Sequence, residues 1–397
     1  MTDPAQTAAM TYGQSHPLVV LLVDDQRIIA EAVRRILASE PDIQYHAVTN
    51  PLEALETAIE LRPTVILQDL VMPEIDGLRL VEQYRAQPEI QDTPLIVLSS
   101  KEEAVTKADA FARGANDYLV KLPDPVELLA RIRYHSHAYI ALLERNEAFK
   151  ALRESQKALA QELNEAADYV RSLLPNPIAE GPIRTSWVFK PCSSLGGDSF
   201  GYFDIDEAHF AIFLLDVCNH GIGSALLSVT AMNAILGQTL VDVDFKDPRA
   251  VMAGLNDVFQ MEKHHNLYFT LWYGVFNRNT RELKYASGGH PPSILMAPGD
   301  IQQLRTKAAP IGTFATARYE EASTQVPEGA LLYVFSDGIY EVTRTDGREM
   351  ELSDFIEILK EPETTPGAKV QEVFKTMAAV QGREDFEDDV SLVEFRF

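Results

Sequence analysis

Phe210-Ala211-Ile212-Phe213-Leu214-Leu215-Asp216-Val217-Cys218-Asn219-His220-Gly221 reads as a buried strand that runs into an acid and then a turn. The residues that follow, Ile222–Leu240, carry helical periodicity. An aspartate at such a junction sits at the carboxyl end of a strand, where polar groups from separate stretches can meet. Three other turns repeat the arrangement: Gly196-Gly197-Asp198, Phe335-Ser336-Asp337-Gly338 and Asp388-Asp389-Val390-Ser391. Each sets an acid beside a small residue at the edge of an apolar run. Gathering four carboxylates out of water is costly unless cations balance them. Oxygen ligands of this kind suit hard divalent ions such as Mg2+ and Mn2+. Apolar runs at Phe210–Val217, Tyr268–Phe276, Leu283–Ser287, Leu331–Ser336 and Val390–Phe397 read as strands. Two helices, Ile222–Leu240 and Pro248–Glu262, interrupt them. The whole of 176–397 is therefore expected to be an α+β domain with extended sheets and helices on their outer faces.

Upstream, residues 17–137 alternate short apolar runs with helical periodicity. Leu18–Val23, Gln44–Val48, Val65–Gln68, Leu95–Leu98 and Asp117–Val120 read as strands. Arg27–Ala38, Pro51–Glu60, Gly77–Arg85, Glu103–Arg113 and Pro125–Tyr139 read as helices. Five strand–helix repeats predict an α/β, flavodoxin-like parallel sheet with its site at the carboxyl ends of the strands. Asp24 and Asp25 follow the first strand, Asp69 the third, Ser99 the fourth and Lys121 the fifth. Three carboxylates together invite a divalent cation. A hydroxyl and an ammonium facing them are explained if an anion arrives there.

Between these parts, 138–175 carries a heptad pattern. Leu142, Phe149, Gln156, Leu163 and Val170 form one row; Arg145, Leu152, Leu159, Ala166 and Leu173 form its companion. This predicts a helical coiled-coil linker and a homodimer, ended by Pro175. The alternative is one long amphipathic helix packed on its own chain.

Composition limits the rest. The 397 residues carry a net charge of −24, with 46% hydrophobic residues. So acidic a chain offers no strong field to a phosphate backbone, which argues against nucleic acid. Two cysteines, Cys192 and Cys218, make no disulfide framework. Residues 1–16 are polar and read as a flexible tail rather than a signal peptide. No apolar run reaches the ~18 residues that span a bilayer. A cytoplasmic protein without membrane contact is expected.

The first segment closely resembles the receiver domain of two-component response regulators. The resemblance rests on Val23-Asp24-Asp25, on Asp69-Leu70-Val71-Met72-Pro73 through Asp76-Gly77, on Ser99-Ser100, and on Tyr118-Leu119-Val120-Lys121. It implies phosphorylation at Asp69 by a sensor histidine kinase or phosphotransfer protein. It implies Mg2+ held by Asp24, Asp25, Asp69 and the Val71 carbonyl. It also implies that Ser99 and Lys121 bind phosphoryl oxygens and that Tyr118 is the switch aromatic. This lysine is followed by Leu122-Pro123 rather than directly by proline, so the usual cis-proline turn is expected to be missing or displaced.

The second segment resembles the SpoIIE and RsbU group of metal-dependent (PPM) serine/threonine phosphatases. Beyond the four acidic turns, Ala225-Leu226-Leu227, Gly288-Gly289-His290-Pro291-Pro292, Pro310-Ile311-Gly312 and Asp337-Gly338-Ile339-Tyr340-Glu341 fall in the family order. The resemblance implies a β-sandwich flanked by helices. It implies catalytic Asp198, Asp216, Asp337 and Asp388 around two Mn2+ or Mg2+ ions, with the Val217 carbonyl as a further ligand and Asp389 as the fallback for Asp388. Asn219 stands where the family usually has glycine, and Gly201 where it commonly has an acid. Arg184 and Lys190 are the candidates for a phosphate contact, while His220 and His290 read as turn histidines or acid–base groups. A receiver, a helical linker and this phosphatase together resemble the RssB-type response regulators. The implied substrate is a phosphorylated STAS-type anti-sigma-factor antagonist, with Asp69 phosphorylation tuning its hydrolysis. A second reading keeps the fold but drops the chemistry, leaving an adaptor that binds a sigma factor or its regulator. A third, a nucleotide cyclase, rests on Gly196-Gly197-Asp198-Ser199-Phe200 but lacks the Glu of that signature.

Overall fold

The computed structural model describes residues 17–100, 103–365 and 367–397. The expected tail, 1–16, lies outside the described residues. Contacts divide the chain into two units, Met1–Gln156 and Lys157–Phe397, each described by itself.

The first unit is built on β1 (Leu18–Val23), whose six residues are all buried. Such an unbroken apolar run belongs in a parallel sheet covered on both faces. It pairs with β2 (Ile43–Val48) and β3 (Val65–Asp69), which is followed outward by β4 (Leu95–Ser99) and β5 (Asp117–Val120). The order β2-β1-β3-β4-β5 is parallel throughout. Side chains alternate between two cores. Val20, Leu22, Leu67 and Ile96 pack with α1 (Arg27–Leu37), which presents Ile29 and Val33. Leu21, Ile66 and Val97 face the other side, with Ala58 of α2 (Ala54–Leu61) and Leu80 of α3 (Gly77–Arg85). A fourth helix, α4, spans Ala104–Ala112. One helix, α5, runs from Pro125 to Ser172. In the first unit it buries Leu128, Ile132, Ser136 and Ile140, one side chain per turn on a single face. Beyond them Phe149, Leu152 and Leu159 of the heptad rows are exposed.

The second unit holds two five-stranded sheets. One is ordered β13-β10-β9-β8-β7 and the other β12-β11-β14-β15-β6. The first comprises β7 (Ser199–Asp204), β8 (His209–Val217), β9 (Phe269–Asn277), β10 (Glu282–Gly288) and β13 (Ala322–Gln325). The second comprises β6 (Arg184–Lys190), β11 (Ser293–Ala297), β12 (Asp300–Leu304), β14 (Leu331–Phe335) and β15 (Val390–Arg396). Phe210 and Trp272 of one sheet share a core with Leu332, Val334, Val393 and Phe395 of the other. The alternate residues Tyr333, Phe335, Val390 and Leu392 face the opposite way, onto Phe355 and Val373. Those last two belong to α8 (Leu352–Lys360) and α9 (Lys369–Gln381). The outer face of the first sheet carries α6 (Ile222–Leu236) and α7 (Pro248–Val258).

Three expectations change here. Five strands, β6, β7, β11, β12 and β13, join the five read as apolar runs. Among the described residues the unit has four α-helices rather than two, α8 and α9 being the additions. The first two are also shorter than expected. α6 stops at Leu236, before Gly237, and α7 stops at Val258.

Candidate functional site

At the carboxyl ends of β1 and β3, Asp24, Asp25 and Asp69 present ligand atoms within 4.8 Å of one another. The approach of α3 to this corner requires glycine, because a Cβ on Gly77 would lie 2.3 Å from the Asp69 carbonyl oxygen. Asp76 caps the same helix by accepting the Leu78 N–H. Lys121 reaches in from the end of β5, with Nζ 2.6 Å from Asp69 Oδ2 and 3.0 Å from Asp24 Oδ2. Burial pulls the Lys121 ammonium down, but its bonds to Asp69 and Asp24 outweigh this and leave it above its ordinary range. Burial likewise raises Asp24, against the Gln26 N–H and Lys121. Asp69 Oδ1 accepts the Val71 N–H at 3.2 Å, which ties the loop after β3 to the acid. Ser99 closes β4 and is buried. Tyr118 is buried on β5, with Lys107 Nζ 5.3 Å from its ring centre. Among the described residues no peptide bond is cis, and Leu122 takes the left-handed φ of 57°. The Leu122-Pro123 departure is thus absorbed by Leu122.

In the second unit, strand register draws the acids together. β7 and β8 run antiparallel with Ser199 opposite Leu215, so one further step sets Asp198 against Asp216. On the other side of β8, Asp216 pairs with Thr270 of β9. β14 and β15 pair Phe335 with Leu392, which brings the Asp337 turn to the Asp388-Asp389 pair. β6 pairs Lys190 with Val390, and the chain continuing from it places Cys192 beside the same pair. Cys192, Asp388 and Asp389 offer ligand atoms within 4.8 Å of one another.

The charges confirm this crowding. Asp198 is 1% exposed, and neither of its carboxylate oxygens has a hydrogen-bond partner among the described residues. Burial first, then Asp216 and Asp389, push its pKa well up; the nearby Ser336 and Ser391 hydroxyls offset this only in part. Burial raises Asp216 to about 8, helped by Asp337, Asp388 and Asp389. Asp337 rises to about 6 through burial, Glu341 and Asp388. Burial raises Asp388; the Asp389 N–H draws it part of the way back, the Asp389 charge adds to the rise, and the nearby His220 opposes it slightly. Carboxylates so placed lack positive charge. The oxygen-rich donor set and the orphaned Asp198 oxygens fit hard divalent cations.

Glycines permit the close approach. A Cβ on Gly197 would lie 2.7 Å from the Val217 carbonyl oxygen, and one on Gly338 2.2 Å from the Asp389 carbonyl oxygen. Asn219 takes a φ of 64°, a region asparagine tolerates, so it can stand in for glycine. Gly201 pairs with Phe213, whose ring leaves no room for an acid there.

Some candidates fall away from the cluster. Arg184 pairs with Arg396, at the far end of the strand from Lys190 and about 20 Å off. That distance removes it as a phosphate contact. Lys190 sits at the near end, with Nζ 3.6 Å from Asp385. His290 is 1% exposed, with Nδ1 3.0 Å from the Pro291 carbonyl oxygen, and burial lowers it to about 4. It is a structural histidine in a tight loop. Burial and Asp389 push the Cys192 thiol up to about 12. The place of Cys192 beside the acids was not read from sequence. Only recognition of β6 and its register could have shown it.

Comparison with known proteins agrees with both halves. Residues 20–133 match the response regulator receiver domain, and residues 206–397 match the family described as Stage II sporulation protein E (SpoIIE). The chain is 27% identical over 185 residues to the phosphoserine phosphatase RsbP of Bacillus subtilis (strain 168), covering 46% of each chain. It is 35% identical over 114 residues to the transcriptional regulatory protein SrrA of Staphylococcus aureus (strain NCTC 8325 / PS 47), covering 29% of this chain and 46% of that one. It thus spans about half the length of the curated relatives it matches. The SiaA-PP2C domain of Pseudomonas aeruginosa shares the fold, with a TM-score of 0.55, 21% identity, and coverage of 61% of this chain and 98% of that one.

Proposed function

We propose that this chain, which joins a response-regulator receiver domain to a SpoIIE-type phosphatase domain, is a metal-dependent protein-serine/threonine phosphatase governed by phosphorylation of Asp69. One observation carries the reading: Asp198 is buried with both oxygens unpartnered, directly across the sheet register from Asp216. Asp198, Asp216, Asp337 and Asp388, with the Val217 carbonyl, would hold two Mn2+ or Mg2+ ions. Such ions supply an activated water for in-line attack on a phosphate ester and offset the charge that develops on it. The chain's own residues do the rest. β8 carries Asp216 near its end, β15 begins just past Asp388, and the glycine turns let backbone close in around the acids. Neither cysteine need be a nucleophile. His220 is exposed beside Asp388 and draws its pKa down.

In the receiver unit, Asp24, Asp25, Asp69 and the Val71 carbonyl would hold Mg2+. Ser99 and Lys121 would take phosphoryl oxygens on Asp69, and Tyr118 would follow Ser99 as the switch. A sensor kinase or phosphotransfer protein would supply the phosphoryl group. The substrate proposed is a phosphorylated STAS-type anti-sigma-factor antagonist, in keeping with the relative named a phosphoserine phosphatase. The test is Mn2+-dependent phosphate release from a phosphoserine peptide by the full chain. Asp216→Asn should cut the rate on the order of 100-fold or more. Equal rates for the two proteins would end the enzymatic reading and favour a binding role.

A further inference from the structure

The pair Asp388-Asp389 offers two adjacent acids to one site, and their surroundings differ. Asp389 is 3% exposed. Its Oδ1 accepts the Cys192 N–H at 2.8 Å, and its Oδ2 accepts the Gly197 N–H at 2.5 Å and the Asp198 N–H at 3.4 Å. Its carbonyl oxygen accepts the Ser336 hydroxyl at 3.2 Å, and its own N–H donates to Asp388 Oδ1 at 2.8 Å. A carboxylate met by three backbone N–H groups is already solvated by the protein. Gly196 is shaped around it, since a Cβ there would lie 2.6 Å from Asp389 Oδ2. Asp388 is exposed, and among the described residues its Oδ1 accepts only the Asp389 N–H.

We infer that Asp389 is a positioning residue: its carboxylate fastens the 192–198 turn to the start of β15 and so holds Asp198 against Asp216. The inference deepens the phosphatase reading and rests on its metal site. It assigns the second acid of the pair a role unlike that of the first. Asp388 would face the cations, while Asp389 faces the backbone that carries Asp198. An amide at 389 keeps the shape but can satisfy fewer of the three N–H groups, because its NH2 is a donor. The turn should loosen, and Asp198 should lose its aim without the domain unfolding.

The test titrates Mn2+ alone into the full chain by calorimetry, for wild type, Asp389→Asn, Asp388→Asn and Gly196→Ala. Partners behind a metal ligand typically change metal affinity by about 10–100-fold. Asp389→Asn should raise the Mn2+ Kd within that range. Gly196→Ala, which crowds the same carboxylate without altering it, should raise it in the same direction. Thermal midpoints recorded beside the titrations separate a loosened turn from a failed fold. Phosphopeptide kinetics should show kcat falling while KM stays within about twofold, since the substrate's own contacts are untouched. If Asp389→Asn abolishes Mn2+ binding while Asp388→Asn spares it, Asp389 is a ligand and the inference is overturned. It is overturned equally by an unchanged Kd in both Asp389→Asn and Gly196→Ala, or by a wild type that takes up no Mn2+. A wild type that binds Mn2+ but releases no phosphate would sink the phosphatase reading alone.

Discussion

His290 shows how one buried side chain writes itself into the acid stability of the domain. Burial lowers its pKa from 6.5 to about 4 in the fold, against the partial support of the Pro291 carbonyl. As pH falls, the unfolded chain takes the proton first, so the contribution is complete above about 6.5 and fades as pH drops through 4. The loss is on the order of 3 kcal/mol once both states are protonated. His290→Gln should flatten this part of the profile. Thermal midpoints at pH 7 and pH 4.5 would check it, and an unchanged difference between them would refute it. Gly338 makes a second case. With the Asp389 carbonyl oxygen 2.2 Å from any added Cβ, Gly338→Ala should cost about 1–3 kcal/mol, read by urea unfolding. The sequence made the acids of this site visible because each ended an apolar run beside a turn. It could not divide labour between Asp388 and Asp389, since adjacent acids look alike until strand pairing shows what each faces.

Among the elements, legibility followed hydrophobic contrast. In the first unit β1, β3 and β4 stood out because inner parallel strands are buried on both faces and read as apolar runs, whereas the edge strand β2, Ile-Gln-Tyr-His-Ala-Val, is mostly exposed and was read from its place in the strand–helix alternation. In the second unit β8, β9 and β14 were as plain. β12 and β13, Asp-Ile-Gln-Gln-Leu and Ala-Ser-Thr-Gln, lie at sheet edges and carry no such signal. α8 was legible and passed over: Leu352, Phe355, Ile356 and Leu359 stand at helical spacing, and Glu351 and Asp354 cap its start reciprocally. α5 poses the opposite case, a helix whose exposed Phe149, Leu152 and Leu159 repeat at heptad spacing. We expect them to meet the same rows of a second copy. Leu152→Glu with Leu159→Glu would place charge in that seam, and light scattering should then report half the mass of the wild type. An unchanged mass would count against pairing through the helix.

For the whole molecule, the prediction concerns traffic between its ends. Acetyl phosphate, as a small phosphoryl donor, should change the rate of phosphopeptide release several-fold, within the ordinary span of coupling between sites. Asp69→Asn should abolish that response while leaving basal Mn2+-dependent turnover in place. A response that survives in Asp69→Asn would remove the receiver from control. Composition foretold little of this, because a net charge of −24 speaks to solubility and to nucleic acid but not to which acids act. The Asp389 clamp has a last consequence, in time rather than space. It joins residues 192 positions apart, and contacts across so long a loop come late because closing the loop costs entropy first. The proposed cation site would therefore form late in folding, and a half-finished molecule would have nowhere to keep a cation.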